Sequence, residues 1–317
     1  MSTSRRQFIE SIGLGTAALA TSTVALSAAH AAALPMPEQP MASGLIACNS
    51  YTWNTFYNRA GKTWMQDPDA SLRDFVQSGF TAYEPGVDSL KQVQALGPLL
   101  KKYGLTMPSL YVNSSLHQAD EATNSITAAL AIADLAKTLG TRIIVTNPNP
   151  IKWGSADNKS DNELTEQVRN LDRLGAELRK RGMILAYHTH APEHRAAARE
   201  FHHMMLGSDP ANVKLCLDAH WVYRGSENSQ IALFDVVKLY GERIVEMHVR
   251  QSKGGIWSET FTATGDIDYP RLMTALRTIG VKPLIVMEQC LETGSPNTMN
   301  AVEAHRQDLA AAKVLFG

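Results

Sequence analysis

Acidic, imidazole and guanidinium side chains stand at the ends of apolar segments along this 317-residue chain. Members of the set that are two residues apart share one face of a β-strand, because side chains alternate along a strand. The set comprises Glu84, His188, His190, Asp218, His220, His248, Arg250 and Glu288.

Charged groups of this kind are costly to bury unless they are paired or bind a metal. For any single residue, a hydrogen-bonded strand end explains the pattern equally well. Recurrence on four successive segments favours a shared divalent-metal site. Imidazole together with carboxylate suits Mn²⁺, Zn²⁺ or Fe²⁺, and Mg²⁺ and Co²⁺ are the alternatives.

Short apolar runs alternate with longer amphipathic ones from residue 44 onward, a pattern typical of βα units around a parallel sheet. The predicted strands are 45–49, 80–84, 106–112, 142–146, 183–188, 213–218, 243–249 and 283–288. The predicted helices are 70–78, 89–103, 119–139, 161–181, 194–206, 229–241, 269–279 and 298–315.

Eight such units predict a single (β/α)8 TIM barrel, which needs about 250 residues. The competing doubly wound sheet lacks a G-x-G-x-x-G after its first strand. In a barrel, catalytic groups gather at the carboxyl ends of the strands.

These strand-end motifs resemble the sugar phosphate isomerase/epimerase superfamily of xylose isomerase-like TIM barrels, in its Y-H-x-H branch. The motifs are Y-H-T-H-A-P-E at 187–193, L-D-A-H-W at 217–221, E-M-H-V-R at 246–250, T-G-D-I-D at 264–268 and V-M-E at 286–288. The resemblance covers 44–317 and implies that the metal ligands are His188, Asp218, His248 and Glu288.

The sequence departs from the family pattern at four positions. His188 stands where the epimerases usually have Glu, and Thr189 replaces the Asn of Y-H-N-H. In the family's H-L-K-D motif, Arg250 replaces Lys and Gln251 replaces Asp.

The chemistry expected of such a site begins with removal of a proton α to a carbonyl, through a metal-stabilised enediolate. The candidate bases are Glu84, His190 and Glu193. Proton return gives an isomerase or an epimerase, and elimination from an oxidised glycoside gives a lyase or hydratase. A non-catalytic periplasmic sugar- or metal-binding protein is the remaining alternative.

The expected substrate is a small carbohydrate: a free sugar, a keto-sugar or a glycoside. Arg250 is predicted to hold a hydroxyl or anionic oxygen of it. Trp53, Trp221 and Trp257 are predicted to stack on a sugar face, although ordinary core packing explains them equally well.

Residues 1–33 read as a twin-arginine export signal, with Arg5 and Arg6 before an apolar stretch that ends in Ala29-His30-Ala31. Residues 34–43 contain three prolines and are predicted to be a linker. We therefore expect the Tat export machinery as a partner and the periplasm as the location.

The charge balance is nearly neutral, with 30 Lys+Arg against 31 Asp+Glu and a net charge of −1. This balance argues against nucleic acid as a partner, including the DNA-repair branch of the same fold. No segment is long enough for stable membrane insertion. The three cysteines predict buried free thiols rather than a disulfide framework. Homo-oligomerisation is left open.

Overall fold

The computed structural model describes residues 44–317. The predicted export signal (1–33) and linker (34–43) lie outside these residues. Within the described part of the chain, no helix combines the length and hydrophobicity needed to cross a membrane.

The described chain is built mainly from strands that are each followed by one or two helices. The first half contains β1 (Ile46–Asn49), α1 (Ser50–Arg59), α2 (Pro68–Gln77), β2 (Ala82–Glu84), α3 (Leu90–Tyr103), β3 (Ser109–Tyr111), α4 (Ala119–Thr138), β4 (Ile143–Thr146) and α5 (Asp161–Lys180). The second half contains β5 (Ile184–Tyr187), α6 (Ala191–Gly207), β6 (Val213–Asp218), α7 (Ala219–Gly225), α8 (Gln230–Tyr240), β7 (Ile244–Val249), β8 (Ser252–Lys253), β9 (Ile256–Trp257), α9 (Tyr269–Thr278), β10 (Leu284–Met287) and α10 (Ala301–Phe316).

Eight parallel strands form one sheet in the order β2-β1-β10-β7-β6-β5-β4-β3. The edge strands β2 and β3 meet through parallel bridges, Ala82 with Thr106 and Gly86 with Tyr111. These bridges bring the ends of the sheet together, so the predicted (β/α)8 TIM barrel is confirmed.

Alternation along the strands separates two apolar cores. Small residues such as Ala47, Ala82 and Ala186 fill the barrel interior, and the larger core lies between the strands and the helices. The residue two positions after each interior residue also faces the barrel axis. This parity carries Asn49, Glu84, His188, Asp218, His248 and Glu288 into the mouth of the barrel.

Three local elements were not predicted: α1, α7 and the β8–β9 hairpin. Both helices begin directly after a strand, because the last strand residue serves as the N-cap. The Asn49 side chain accepts from Tyr51 N at 2.6 Å, and Asp218 Oδ1 accepts from His220 N and Trp221 N, each at 2.9 Å. Helix α6 is interrupted at residues 195–198, where Ala196, Ala197 and Ala198 have φ values of 50–60°.

The three cysteines are buried and free in the described structure, as predicted. The Cys48 and Cys216 thiols lie in barrel strands, and burial raises the pKa of both well above the usual value. They therefore act as small apolar residues.

Gly175 fixes how closely α5 approaches the loop before β6. A Cβ at this position would lie 2.3 Å from Asn212 O. We expect Gly175→Ala to lower the free energy of unfolding by about 2 kcal/mol, because the obstacle is backbone. Gly97→Ala in α3 is the matched control. Its Cβ would meet only the Leu139 side-chain tip at 3.2 Å, and alanine gains about 1 kcal/mol in helix propensity. Urea unfolding curves test the pair, and equal losses would contradict the packing argument.

Candidate metal centre

Four side chains from consecutive strands of the barrel converge at its mouth. They are His188, Asp218, His248 and Glu288, and one donor atom from each lies within 4.8 Å of the others. All four are buried. Two imidazoles and two carboxylates at this spacing form a donor set of the kind that holds a transition-metal dication.

Asp218 divides its two oxygens between structure and site. Oδ1 caps α7, whereas Oδ2 faces His188 Nε2 at 3.6 Å and Arg250 Nη2 at 2.9 Å. Burial alone would raise the pKa of Asp218, but Arg250 together with His188 and His248 outweighs it and holds the pKa below its usual value. The carboxylate is therefore ionised and its orientation is fixed by the helix.

His188 supplies the clearest sign that the site fits a metal. Its Nε2 is buried, and no hydrogen-bond partner for it is present among residues 44–317. The other ring nitrogen lies 3.4 Å from the Tyr111 hydroxyl. Burial lowers the pKa of His188, which favours the neutral imidazole that ligates metals. A buried lone pair with no protein donor is costly, and a cation between the four donors would satisfy it.

Both ring nitrogens of His248 face carboxylates. Its Nδ1 lies 3.2 Å from Glu288 Oε2, and its Nε2 lies 3.1 Å from both Glu84 Oε1 and Glu246 Oε1. Burial would raise the pKa of Glu84, but the positive charge of His248 lowers it to about 2. Burial and the charge of Glu84 raise the pKa of Glu246 to about 8. Glu84 and Glu246 therefore orient the imidazole through Nε2, and its Nδ1 faces Glu288 in the donor set.

Glu84 does not reach the substrate side of the centre. It is fully buried, with Oε1 accepting from Asn49 Nδ2 at 2.5 Å and Oε2 accepting from Ser109 Oγ at 2.6 Å. Its predicted role as base is wrong on this geometry, because both oxygens are engaged below the cavity. Glu84 is a positioning residue for His248.

Arg250 lies directly against the donor set. Its Nη2 donates to Asp218 Oδ2 and to Glu288 Oε2, and its guanidinium lies 5.0 Å from the Trp221 ring and 4.8 Å from the Trp257 ring. In the described structure its Nε and Nη1 are buried without hydrogen-bond partners. Two nitrogens of the guanidinium therefore have no hydrogen-bond acceptor of their own.

The three predicted sugar-stacking tryptophans have different surroundings. Trp221 lines the cavity above the centre. Trp257 is buried between the guanidinium groups of Arg250 and Arg224. Its ring therefore packs against these two arginine side chains. The stacking prediction for Trp53 is wrong, because its fully buried indole stacks on Trp64 and His305 in the outer core.

His190 lies on the cavity wall, and its tautomer follows from its neighbours. Asn147 Nδ2 donates to His188 O and to Glu193 Oε1, both at 3.1 Å, so the Asn147 Oδ1 must be the acceptor toward His190 Nδ1 at 3.0 Å. His190 therefore carries its proton on Nδ1 and keeps a lone pair on Nε2. Burial lowers the pKa of His190 well below 6.5, so the ring is neutral near pH 7.

Glu193 contacts the backbone of His190 and does not line the cavity. It is fully buried, and its Oε2 accepts from His190 N at 2.7 Å at the start of α6. Burial and the nearby Glu200 raise its pKa to about 7. Of the three candidate bases, only His190 lines the cavity.

A cavity of about 980 Å³ opens above the centre. Its floor includes Glu288 and Arg250, and its walls include His190, Trp221 and Tyr111. It lies at the carboxyl ends of the strands, where TIM barrels place their active sites.

Residues 72–313 match the family described as xylose isomerase-like TIM barrel. This chain belongs to that family. The match spans most of the described barrel and includes all four donors of the metal centre. No curated protein matches the chain.

Solved structures of other xylose isomerase-like barrels share this fold at low sequence identity. A protein of this family from Mycobacterium smegmatis, in complex with magnesium, has a TM-score of 0.68 and 13% identity, covering 87% of this chain and 98% of that one. D-psicose 3-epimerase from Clostridium cellulolyticum H10, with D-tagatose, has a TM-score of 0.65 and 16% identity, covering 85% and 97%. The 3-keto-D-glucoside 4-epimerase from E. coli has a TM-score of 0.61 and 13% identity, covering 85% and 99%.

The barrel brings four further polar residues to the site that were not singled out from the sequence. They are Asn49, Tyr111, Asn147 and Glu246. A signal was present for each, because each lies in or directly after a predicted strand with the parity of the interior residues. Glu246 alternates with His248, and Asn147 follows β4 as His188 follows β5.

Proposed function

We propose that this protein is a metal-dependent sugar isomerase or epimerase that acts on a free keto-sugar or a keto-glycoside by proton abstraction. One observation carries the proposal: His190, whose Nδ1 is engaged by Asn147, lines the same cavity as Glu288, one of the four metal donors. A divalent cation at these donors would supply the Lewis acidity that polarises a carbonyl next to a hydroxyl. Mn²⁺, Zn²⁺ or Fe²⁺ suits the donors best, and Mg²⁺ and Co²⁺ remain alternatives.

In the proposed reaction, His190 Nε2 takes the proton from the carbon α to the substrate carbonyl. The imidazolium that forms keeps its Nδ1–H on Asn147 Oδ1, and the Asn147 amide is held in turn by Glu193. Arg250 Nε and Nη1 hold a substrate oxygen, and the Trp221 ring covers the sugar.

The fate of the proton decides the product. Return to the neighbouring carbon gives an isomer, and return to the opposite face of the same carbon gives an epimer. Loss of a group from the β carbon of an oxidised glycoside gives a lyase product. Isomerase or epimerase chemistry is the proposal, and elimination is the alternative that product analysis separates.

The test is solvent exchange. The metal-loaded protein is incubated in D₂O with a panel of ketohexoses and 3-keto-glucosides, and deuterium at carbon is followed by NMR. We expect exchange with at least one substrate, and a loss of about a hundredfold or more in His190→Gln with unchanged metal content. His202→Gln is the matched control, because His202 lies on the far part of α6, where it hydrogen-bonds the Tyr240 hydroxyl. Sugar binding without any deuterium exchange would contradict the proposed enzyme and favour a non-catalytic sugar-binding protein.

We also propose export to the periplasm by the twin-arginine route, on the sequence of residues 1–33. Replacing Arg5 and Arg6 by lysine is expected to retain the protein in the cytoplasm. Fractionation of cells that express each form measures the outcome, and an unchanged periplasmic fraction would contradict the proposal.

A further inference from the structure

The cavity above the metal centre has two chemically different ends. The inner end is polar and contains Asn49, His190, Arg250 and Glu288. The outer end lies between the loop before α2 and helix α3. Its apolar lining consists of Trp64, Met65, Pro68, Val87, Leu96 and Leu99.

Some of the polar atoms at the outer end are already engaged within the protein. The Tyr83 hydroxyl accepts from Trp64 Nε1 at 3.2 Å, and Gln92 Oε1 accepts from Asp88 N and Ser89 N at the start of α3. Sugar hydroxyls placed against the apolar side chains there would lose water and gain few hydrogen bonds in return, which is unfavourable. The outer end therefore suits an apolar group.

The volume supports the same conclusion. A cavity of about 980 Å³ is at the upper limit for drug-sized ligands, which occupy cavities of about 300–1,000 Å³. A single sugar ring at the inner end would leave the apolar end empty. Both ends belong to one continuous cavity, so one molecule with a polar and an apolar part fits it.

We propose that the substrate is a keto-glycoside, a glycoside with a carbonyl in its sugar ring, that carries an apolar aryl or alkyl aglycone. Its sugar ring lies at the inner end, and its aglycone lies against Leu96 and Leu99 of α3. This inference rests on the proposed sugar chemistry and adds the class of substrate. Removal of the aglycone from water supplies affinity that a free sugar lacks.

Matched glycosides test the inference by calorimetry with the metal-loaded protein. The probes are the methyl and phenyl 3-keto-β-D-glucopyranosides and the corresponding 3-keto-galactosides, with phenol as the sugar-free probe. We expect the phenyl glycoside of at least one sugar to bind tenfold or more tightly than its methyl counterpart, and more tightly than phenol.

Ala95→Trp and Gln94→Trp provide the matched variants. Both residues are exposed on α3, but only Ala95 lines the cavity. Ala95→Trp is expected to fill the apolar end and to remove the advantage of the phenyl glycoside, leaving methyl glycoside affinity unchanged. Gln94→Trp is expected to keep that advantage. Thermal unfolding of both variants confirms that they are folded.

Each other result overturns a distinct claim. Equal binding of methyl and phenyl glycosides, or an advantage that survives Ala95→Trp, overturns the aglycone site and leaves the proposed function intact. Phenol binding as tightly as the phenyl glycoside identifies an apolar ligand instead. Absence of binding by every glycoside overturns the sugar chemistry together with this inference.

Discussion

His188→Gln is expected to abolish stable metal binding and to lower kcat/KM by about a thousandfold, or about 4 kcal/mol of transition-state stabilisation, in a protein that still folds. The reason is that His188 Nε2 makes no hydrogen bond within the described chain, where its facing group is Asp218 Oδ2 at 3.6 Å. The variant removes one of four donors and leaves Asp218 and His248 in their own hydrogen bonds. Elemental analysis of the purified proteins measures the metal directly.

Thermal unfolding adds a measure that is independent of activity. A ligand that binds only the folded state stabilises it by about 2.7 kcal/mol at a hundred times its Kd. We expect Mn²⁺ to raise the Tm of the wild type and not that of His188→Gln. His220→Gln is the control, because His220 is equally buried but bonds Ser252 Oγ at 2.8 Å outside the donor set. A wild-type protein that carries no transition metal and gains no stability from Mn²⁺, Zn²⁺, Fe²⁺, Co²⁺ or Mg²⁺ would contradict the metal centre.

The strands and most helices were predictable because a βα unit leaves a local signature. Each strand is a short apolar run, and each following helix has one apolar face and ends at polar residues. Helix α1 lacked that signature: its sequence, S-Y-T-W-N-T-F-Y-N-R, is poor in strong helix formers. It forms because Asn49 caps it and because Trp53 and Phe56 are buried, and neither cause is visible in local propensity.

The candidate site was predictable in direction but not in depth. Parity along a strand indicates that a side chain faces the barrel axis, and this was sufficient to bring the four donors together. Depth depends on the stagger between strands. Asp218 is paired with His248, but His248 is paired with Val286, so Glu288 lies one step nearer the cavity. Glu84 lies against Nε2 of His248, whereas Glu288 lies against Nδ1, and parity along the strand does not reveal this difference.

Arg250 is the residue whose replacement should separate metal affinity from turnover. Its Nη2 binds the same carboxylate oxygens of Asp218 and Glu288 that belong to the donor set. Asp218 and Glu288 would hold a cation next to this guanidinium, and the two positive charges would repel each other. At about 5 Å and an effective dielectric of about 20, two unit charges interact by about 3 kcal/mol. We therefore expect the charge of Arg250 to weaken the binding of a cation at these donors.

Arg250→Met is accordingly expected to bind Mn²⁺ at least about tenfold more tightly, since 1.4 kcal/mol corresponds to a factor of ten, and to lose most of its turnover. Arg250→Lys keeps the positive charge and is expected to bind Mn²⁺ as the wild type does, with a raised KM because lysine cannot reproduce the fixed donors of guanidinium. Calorimetric titration with Mn²⁺ measures affinity, and near-ultraviolet circular dichroism confirms that Trp221 and Trp257 remain packed. Equal Mn²⁺ affinity in the methionine and lysine variants would show that the charge of Arg250 does not oppose the metal.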